Sequence, residues 1–257
     1  MFQEERHQKI VEIVNKRQTV RVSELSQELG ISEVTIRRDL DELQRKKLLI
    51  RTHGGAMSNH SVGKAIFYDD LINKNEELKK RIARIGYEFI DEYDTIIIDN
   101  SSTVIELVKC IVTGKKRNIR IITTSIASIQ LLSGIDRIAV QVIGGLVNYP
   151  HRAIEGSVSC RNIRELRVDK CFFSVNGIAE SFGLSTPRYE DADIKNAMLE
   201  ISNCGILLCD HTKFGKSYLA HVQYPDYLIT DTRIPGFHYD KLDKELDIIF
   251  ANEYFEN

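Results

Sequence analysis

The chain has 257 residues, of which 42% are hydrophobic and 28% charged, with a formal net charge of −2. This is the composition of an ordinary globular protein, long enough for two domains. No apolar run reaches the roughly 18 residues that a bilayer-spanning helix needs.

The near-neutral total hides a small asymmetry. Residues 1–57 hold eleven Lys/Arg and nine Asp/Glu, or +2; the remainder holds twenty-four and twenty-eight, or −4. The balance points weakly to a negatively charged partner for the N-terminal part. The opening "MFQEERHQKI" carries acids and no apolar segment, so no signal peptide is expected and the chain is placed in the cytoplasm. Five cysteines, odd in number and without a CxxC pair, read as reduced thiols, with Cys171 and Cys209 inside apolar strand-like runs.

In chain order, residues 3–16 place Ile10, Ile13 and Val14 in helical phase. "VRV" at 20–22 is a short extended piece. Ser23 is read as the cap of the helix over "ELSQELG", and Gly30 closes that helix. Ser32 caps the next helix, which ends near Arg45. Helix, glycine turn and helix make a helix-turn-helix. "LLIRT" is strand-like, and Gly54-Gly55 permits a tight reversal, so a two-stranded wing is expected to follow.

The second helix of that pair carries the chemistry. With Ile36 set at zero and about 100° per residue, Leu40 and Leu43 fall on the same face. Arg38 falls at about 200°, directly opposite, flanked by Val34 and Thr35. Such a helix has an apolar back, a forked donor for guanine and methyl groups for thymine. Arg37 lies near the edge, where a phosphate would be. Asp39 could brace a neighbouring arginine or cap backbone donors, and the spacing leaves both open. Arg45, Lys46, Lys47, Arg51 and His53 add phosphate-directed groups that set register and salt dependence. The candidate DNA-binding residues are therefore Val34, Thr35, Arg37, Arg38, Arg51 and His53.

Residues 58–75 show no clean period and read as a linker. A helix is expected over 76–90. Beyond it, seven short apolar runs read as strands, at 95–99, 120–124, 139–145, 170–176, 205–210, 227–230 and 247–251. Helical stretches at 102–112, 125–133, 155–165, 190–203 and 238–246 separate them. Apolar strands alternating with helices predict a mostly parallel sheet covered on both faces.

Polar residues collect at the strand ends. Asp99 is followed by Asn100, Ser101, Ser102 and Thr103 and then a helix. Strand, hydroxyl-rich turn and helix suit either a phosphate cradle or an ordinary Ser/Thr cap. Thr124 and Ser125, Gly144 and Gly145 with Arg152, Asn176 and Gly177, and Asp210 and Lys213 end other strands; Lys195 lies in the helix after "STPRYEDAD". This mixture suits a polyhydroxylated, phosphorylated ligand, although each residue alone fits a turn or cap equally well. His151, His211 and His221 have no ligand spacing with acids, so no metal or other cofactor is expected.

"ERHQKIVEIV", "VSELSQELGISEVTIRRDLDEL" and "LLIRTHGGA" resemble the N-terminal domain of the DeoR family of bacterial transcriptional regulators. "DTIIIDNSSTVIELV", "IGGLV…EG", "LRVDKCFFSVNGI…GLSTP…D…K" and "DHTKFGK" resemble its C-terminal sensor domain, so nearly the whole chain is covered. The resemblance implies an α/β protein with a small winged helix-turn-helix domain over 1–57, a linker over 58–75 and a larger sensor and oligomerisation domain over 76–257. It implies that this larger domain is related to ribose-5-phosphate isomerase and binds phosphorylated sugars. By position it implicates Asp99, Ser101, Ser102, Thr103, Gly144, Gly145, Asn176, Gly177, Lys195, Asp210 and Lys213. Its implied partners are operator DNA, a phosphorylated sugar or polyol effector, and further copies of the chain in a dimer or tetramer. The implied function is regulation, usually repression, of a carbohydrate-utilisation operon. Two departures stand out: the family usually has glycine at 100 and often at 101, and more often aspartate at 176. An isomerase of the related type needs an acid at 176 as its general base or acid. Asn176 therefore argues against the alternative, an isomerase-like enzyme carrying a DNA-binding domain.

Overall fold

The structure is a computed structural model that describes residues 3–17, 19–46, 48–52, 54–58 and 71–254. Lys47, His53 and residues 59–70 of the expected linker lie outside the described residues.

The N-terminal unit runs α1 (Gln3–Arg17), β1 (Thr19–Arg21), α2 (Val22–Leu29), α3 (Glu33–Arg45), β2 (Leu49–Thr52) and β3 (Gly55–Ser58). The sheet has three strands rather than two, in the order β1-β3-β2. "VRV" thus contributes a strand that ends at Arg21 and passes directly into α2. Ser23 is not the cap: Arg21 holds that position, and its N–H donates to the Glu24 carboxylate at 3.2 Å. Gly30 follows α2 in the left-handed region at φ 66°, where only glycine is unstrained. Ser32 caps α3, accepting from the Thr35 amide. Gly54 sits in the wing turn, but Gly55 lies within β3: a Cβ there would meet the Val20 carbonyl oxygen at 1.9 Å. Ile10, Val14, Leu25, Ile36, Leu40, Leu43 and Leu49 form the buried core.

The larger unit contains α4 (Glu76–Glu88), β4 (Thr95–Ile98), α5 (Ser102–Thr113), β5 (Ile119–Thr123), α6 (Ile126–Leu132) and β6 (Ile138–Val142). A hairpin follows, β7 (Leu146–Asn148) and β8 (Ala153–Glu155), then α7 (Ser157–Arg164), β9 (Val168–Phe173), β10 (Gly177–Ala179), β11 (Gly183–Thr186) and α8 (Tyr189–Ile201). The chain ends with β12 (Ser202–Leu208), β13 (Ala220–Val222), β14 (Tyr227–Thr230), β15 (Asp247–Phe250) and α9 (Ala251–Tyr254).

All seven expected strands form one sheet in the order β15-β14-β12-β9-β4-β5-β6, and every pairing in it is parallel. Both faces are covered, as apolar strands require. Ile96 and Ile98 of β4 pack with α4 and α5, while Ile97 points into the opposite layer with α7 and α8. The expected helix at 238–246 is only a 3-10 turn, Tyr239–Lys241. The apolar spacing of Tyr239, Leu242 and Leu246 does bury all three. Tyr239 stacks edge-on with Phe237 and Phe250, and its hydroxyl accepts from the Ile234 amide, so aromatic packing and a tertiary hydrogen bond shape this stretch. The β7–β8 hairpin and a small antiparallel sheet, β10-β11-β13, were not expected.

From β4 the chain winds outward through β5 to β6; from β9 it winds the other way through β12 to β14 and β15. The reversal falls between adjacent β4 and β9. Open parallel sheets bind ligands at such a point, beyond the carboxyl ends of the strands.

Candidate functional site

On α3, Ile36 and Leu40 are fully buried, and the opposite face carries Val34, 64% exposed, with exposed Arg38. Arg38 makes no hydrogen bond or ion pair among the described residues. The Thr35 hydroxyl is 3.0 Å from the Ser32 hydroxyl and is half-buried. Arg37 is held along the helix by Glu33 at 2.9 Å, an exposed i,i+4 pair. Arg51 is more committed: its side chain donates to Asp41 at 2.9 Å and to the Gly55 carbonyl at 3.3 Å. The phosphate-facing role expected of it would have to compete with those contacts. His53 lies outside the described residues.

Asp39 resolves as a brace. It is 2% exposed and accepts from Arg6 Nε at 2.5 Å, Arg6 Nη2 at 2.9 Å and His7 Nε2 at 3.1 Å. Burial opposes its ionisation, but the Arg6 and His7 donors overcome this and hold the carboxyl below its ordinary range. The back of α3 is thereby clamped to α1.

In the larger unit, a cleft opens at the β4/β9 reversal, where open parallel sheets bind ligands. Asn100, Ser101, Ser102 and Thr103 line it from the end of β4, and Ser174, Val175 and Asn176 from the end of β9. Ser101 caps α5, accepting from the Val104 amide at 3.4 Å. The first-turn amides of Ser102 and Thr103 have no intrahelical acceptor and lie at the cleft wall, at the positive end of α5.

Asp99 lies beneath this floor, fully buried. It accepts from the Ser101 amide at 2.9 Å and the Ser174 amide at 3.1 Å, tying β4 to β9. Lys195 Nζ stands 3.4 Å from Asp99 and is bonded to Asp191, while the Thr186 hydroxyl bonds Asp191 and lies 3.0 Å from Asn176 Oδ1. One ammonium thus faces two carboxylates. Burial pushes Asp99 up, with Lys195 opposing. Burial also works against ionisation of Asp191, but Lys195 and Thr186 overcome it and hold Asp191 down. The lysine itself stays protonated, because the two acids outweigh its burial.

The opposite side of the cleft is cationic. Lys213 lines it. Lys79, 2% exposed, donates to the carbonyl of Leu71, another cleft residue, at 2.5 Å. Burial, reinforced by repulsion from Lys213, pushes Lys79 down to about 8. Burial with Lys213 and Lys74 does the same to Lys216, also to about 8. Asp210 is an acid of this corner; it caps the 3-10 turn His211–Lys213 and accepts from Thr212 N at 3.0 Å and Asn75 Nδ2 at 3.3 Å.

Of the sequence-derived candidates, Ser101, Ser102, Thr103, Asn176, Lys195 and Lys213 line the cleft, with Asp99 and Asp210 supporting it. Thr124, Ser125, Gly144, Gly145, Arg152 and Gly177 do not line it. Ser125 caps α6 and is bridged to Ala153, and the Thr124 carbonyl accepts from the Ile154 amide at 2.8 Å, so this turn grips the β7–β8 hairpin. Gly145 packs where a Cβ would lie 1.9 Å from Ser159 Oγ. The Arg152 side chain is exposed at the hairpin turn, and Gly177 approaches the Lys216 backbone.

Asn100, named in the turn after β4, also lines the cleft, together with His151, Ser174, Thr186, Arg188 and Asp191, which the sequence patterns did not single out as ligand-binding. Arg188 is bonded twice to Glu155 of the hairpin, and Asn148 donates to the same carboxylate at 2.6 Å. Burial alone would raise Glu155, but Arg188 and Asn148 hold it below its ordinary range. Burial and the nearby Arg188 push His151 down, favouring a neutral imidazole. Asn100 Nδ2 donates to the His151 carbonyl at 2.9 Å and so ties the cleft loop to the hairpin tip. "TPRYED" itself carried a usable signal, an arginine and acids at the start of a helix.

All five cysteines are unpaired. Among the described residues no helix is long and apolar enough to cross a membrane, and no group of three His, Cys, Asp or Glu is placed to hold a metal ion.

Residues 6–62 match the DeoR-like helix-turn-helix domain, and residues 74–232 match the DeoR C terminal sensor domain. The chain is 31% identical to the HTH-type transcriptional repressor GlcR of Bacillus subtilis (strain 168), over 92% of this chain and 91% of that protein. It is 29% identical to the Glycerol-3-phosphate regulon repressor of Escherichia coli (strain K12), over 91% and 93%. Among solved structures, a ribose 5-phosphate isomerase from Plasmodium falciparum aligns with 54% of this chain and 53% of its own, at 18% identity and a TM-score of 0.40.

Proposed function

The chain belongs to the DeoR family of helix-turn-helix transcriptional regulators, and from that premise we propose that it represses a carbohydrate-utilisation operon and is controlled by a phosphorylated sugar or polyol in the cleft. It is a DNA-binding regulator rather than an enzyme. The observation that carries the effector reading is the charge layout of the cleft. A helix N-terminus with free amides and hydroxyls shares the cleft with Lys213, behind which buried Lys79 and Lys216 add positive charge around Asp210. An anionic group fits there, because it neutralises cations that otherwise repel one another. Asn176, Asp191 and Arg188 line the same cleft with paired donors and acceptors suited to hydroxyls. The repressor reading draws support from relatives named as repressors, one of them for a glycerol-3-phosphate regulon.

In the N-terminal unit, Arg38, Val34 and the methyl of Thr35 serve as base-reading groups. Arg37 and Arg51 serve as phosphate-directed groups. Two or more copies of the chain bind repeated half-sites.

The test joins the two units. A panel of phosphorylated sugars and polyols is screened by thermal shift, and each hit is titrated into a mobility-shift assay with genomic fragments. At least one phosphorylated compound should raise the melting temperature, its unphosphorylated parent should not, and the same compound should change the affinity for one fragment. The reading fails if no fragment binds more tightly than random DNA, or if the phosphorylated and parent compounds behave alike.

A further inference from the structure

The two sides of the cleft differ in charge. In strand order, β12 stands on one side of the β9–β4 pair and β5 on the other. Lys213 follows β12 and lines the cleft there, and it repels buried Lys79 and Lys216 behind it. The β7–β8 hairpin stands at the end of β5, bridged to it between Ser125 and Ala153. His151 and Arg188 line the cleft on that side. Arg188 brings little net charge. Its Nη1 and Nη2 donate to the two oxygens of Glu155 at 2.9 and 2.5 Å, and Asn148 Nδ2 donates to the same carboxylate at 2.6 Å. The Glu155 side chain is 9% exposed, so solvent screens this pair little. Lys195 is matched in the same way by Asp191, and His151 is held towards its neutral form.

We propose that Glu155 sets the class of ligand the cleft accepts: a molecule with one phosphate, bound on the Lys213 side, and an uncharged hydroxylated body, to the exclusion of sugar bisphosphates and phosphorylated sugar acids. This rests on the effector reading above and narrows it. Glu155 does not line the cleft; it acts through Arg188, as a positioning residue. A second phosphate or a carboxylate on the hairpin side would meet an arginine already neutralised and would lie near the carboxylates of Glu155 and Asp191. Displacing Glu155 would strand a buried charge with only the Asn148 amide to hold it. A hydroxyl meets neither cost. The guanidinium keeps N–H donors beyond the two that hold the carboxylate, and a hydroxyl both accepts and donates. It can therefore accept from Arg188 while donating to Asp191 or Asn176, which line the same cleft. Discrimination comes from a repulsive group placed where the wrong ligand would extend.

Titration calorimetry of the full chain with matched probes tests this. The pairs are fructose 6-phosphate with fructose 1,6-bisphosphate, glucose 6-phosphate with 6-phosphogluconate, and ribose 5-phosphate with ribulose 1,5-bisphosphate. In the wild type, the singly phosphorylated neutral sugar of a binding pair should bind at least about tenfold more tightly than its partner. Glu155→Gln keeps the shape and removes the charge, so it should narrow that ratio by about tenfold, the worth of one charge-assisted hydrogen bond. A purely structural role would weaken both members alike and leave the ratio unchanged. Should that variant fail to fold, Asn148→Lys decides. It leaves Glu155 in place and offers it a competing ammonium, and it should narrow the ratio in the same direction. A wild type that binds both members of a pair equally overturns the proposal while leaving the effector reading intact. So does a folded Glu155→Gln variant with the wild-type ratio. Failure of every phosphorylated probe to bind overturns the effector reading itself, and this proposal with it.

Discussion

Arg38 and Arg51 illustrate how differently two arginines of one small unit are placed. Among the described residues Arg38 is unpartnered, opposite a fully buried face, while Arg51 is bound to Asp41 and the Gly55 carbonyl. Arg38→Ala should therefore cost about 1–3 kcal/mol of discrimination between the preferred fragment and random DNA. Arg51→Ala should weaken binding to both alike. Competitive mobility shifts with the two DNAs measure the difference, and equal losses of preference would contradict the assignment. A second residue-scale prediction concerns pH. Burial and neighbouring lysines push Lys79 and Lys216 down to about 8, below the ordinary lysine range, and an incoming anion would draw protons back onto them. Anion binding is then linked to proton uptake, and affinity falls as pH rises through about 8. The ligand-free fold shows the opposite trend: between about 8 and 10.5 the unfolded chain holds more protons, so stability rises with pH. Calorimetry of inorganic phosphate binding at pH 7 and pH 9, with a Lys216→Met variant as reference, checks the first; the variant should flatten the dependence.

At the scale of elements, periodicity located the seven strands of the parallel sheet and four of the five helices expected between them, because apolar runs in a two-faced sheet leave no alternative register. It did not reveal the β7–β8 hairpin. Each of its strands has three residues, too few for a period to show, and its anchors are the distant Thr124 and Ser125. The same limit explains the cleft. The hydroxyl turn after β4 was legible because chemistry and helix start lie in one short stretch. Arg188 and Asp191 enter through the fold of β11 and α8, and only tertiary packing brings them to Asn176. Gly145 was legible as a place of close backbone approach, but the approach is to Ser159 of α7 and to Ile154 and Glu155 of β8, and Gly144 has only an ordinary contact with Asn162. Gly145→Ala would press a methyl against Ser159 and the Glu155 carbonyl, at 1.9 and 2.9 Å. The hairpin must shift, and thermal unfolding should show a loss of about 1–3 kcal/mol. An unchanged melting temperature would mean that the hairpin is not held as described.

At the scale of the whole molecule, two devices face outward from two separate cores. The helix-turn-helix presents its arginine from a core of its own, with Asp39 locking α3 to α1. The sensor unit places its cleft where the sheet reverses, so a bound ligand touches both halves of the sheet at once, through the ends of β4 and β9. The β7–β8 hairpin reaches that cleft through His151 and through Glu155, which holds Arg188.

The strand order also has a consequence for how the chain is made. β4, β5 and β6 emerge from the ribosome first, and β9, which closes the inner side of β4, follows only after the hairpin and α7. For that interval the nascent half-sheet has two bare edges, one awaiting its own chain and the other bordered by a run without charge. Such an intermediate pairs readily with its neighbours on a crowded polysome. Fast overproduction should therefore favour inclusion bodies, and slowed synthesis at low temperature should favour soluble protein.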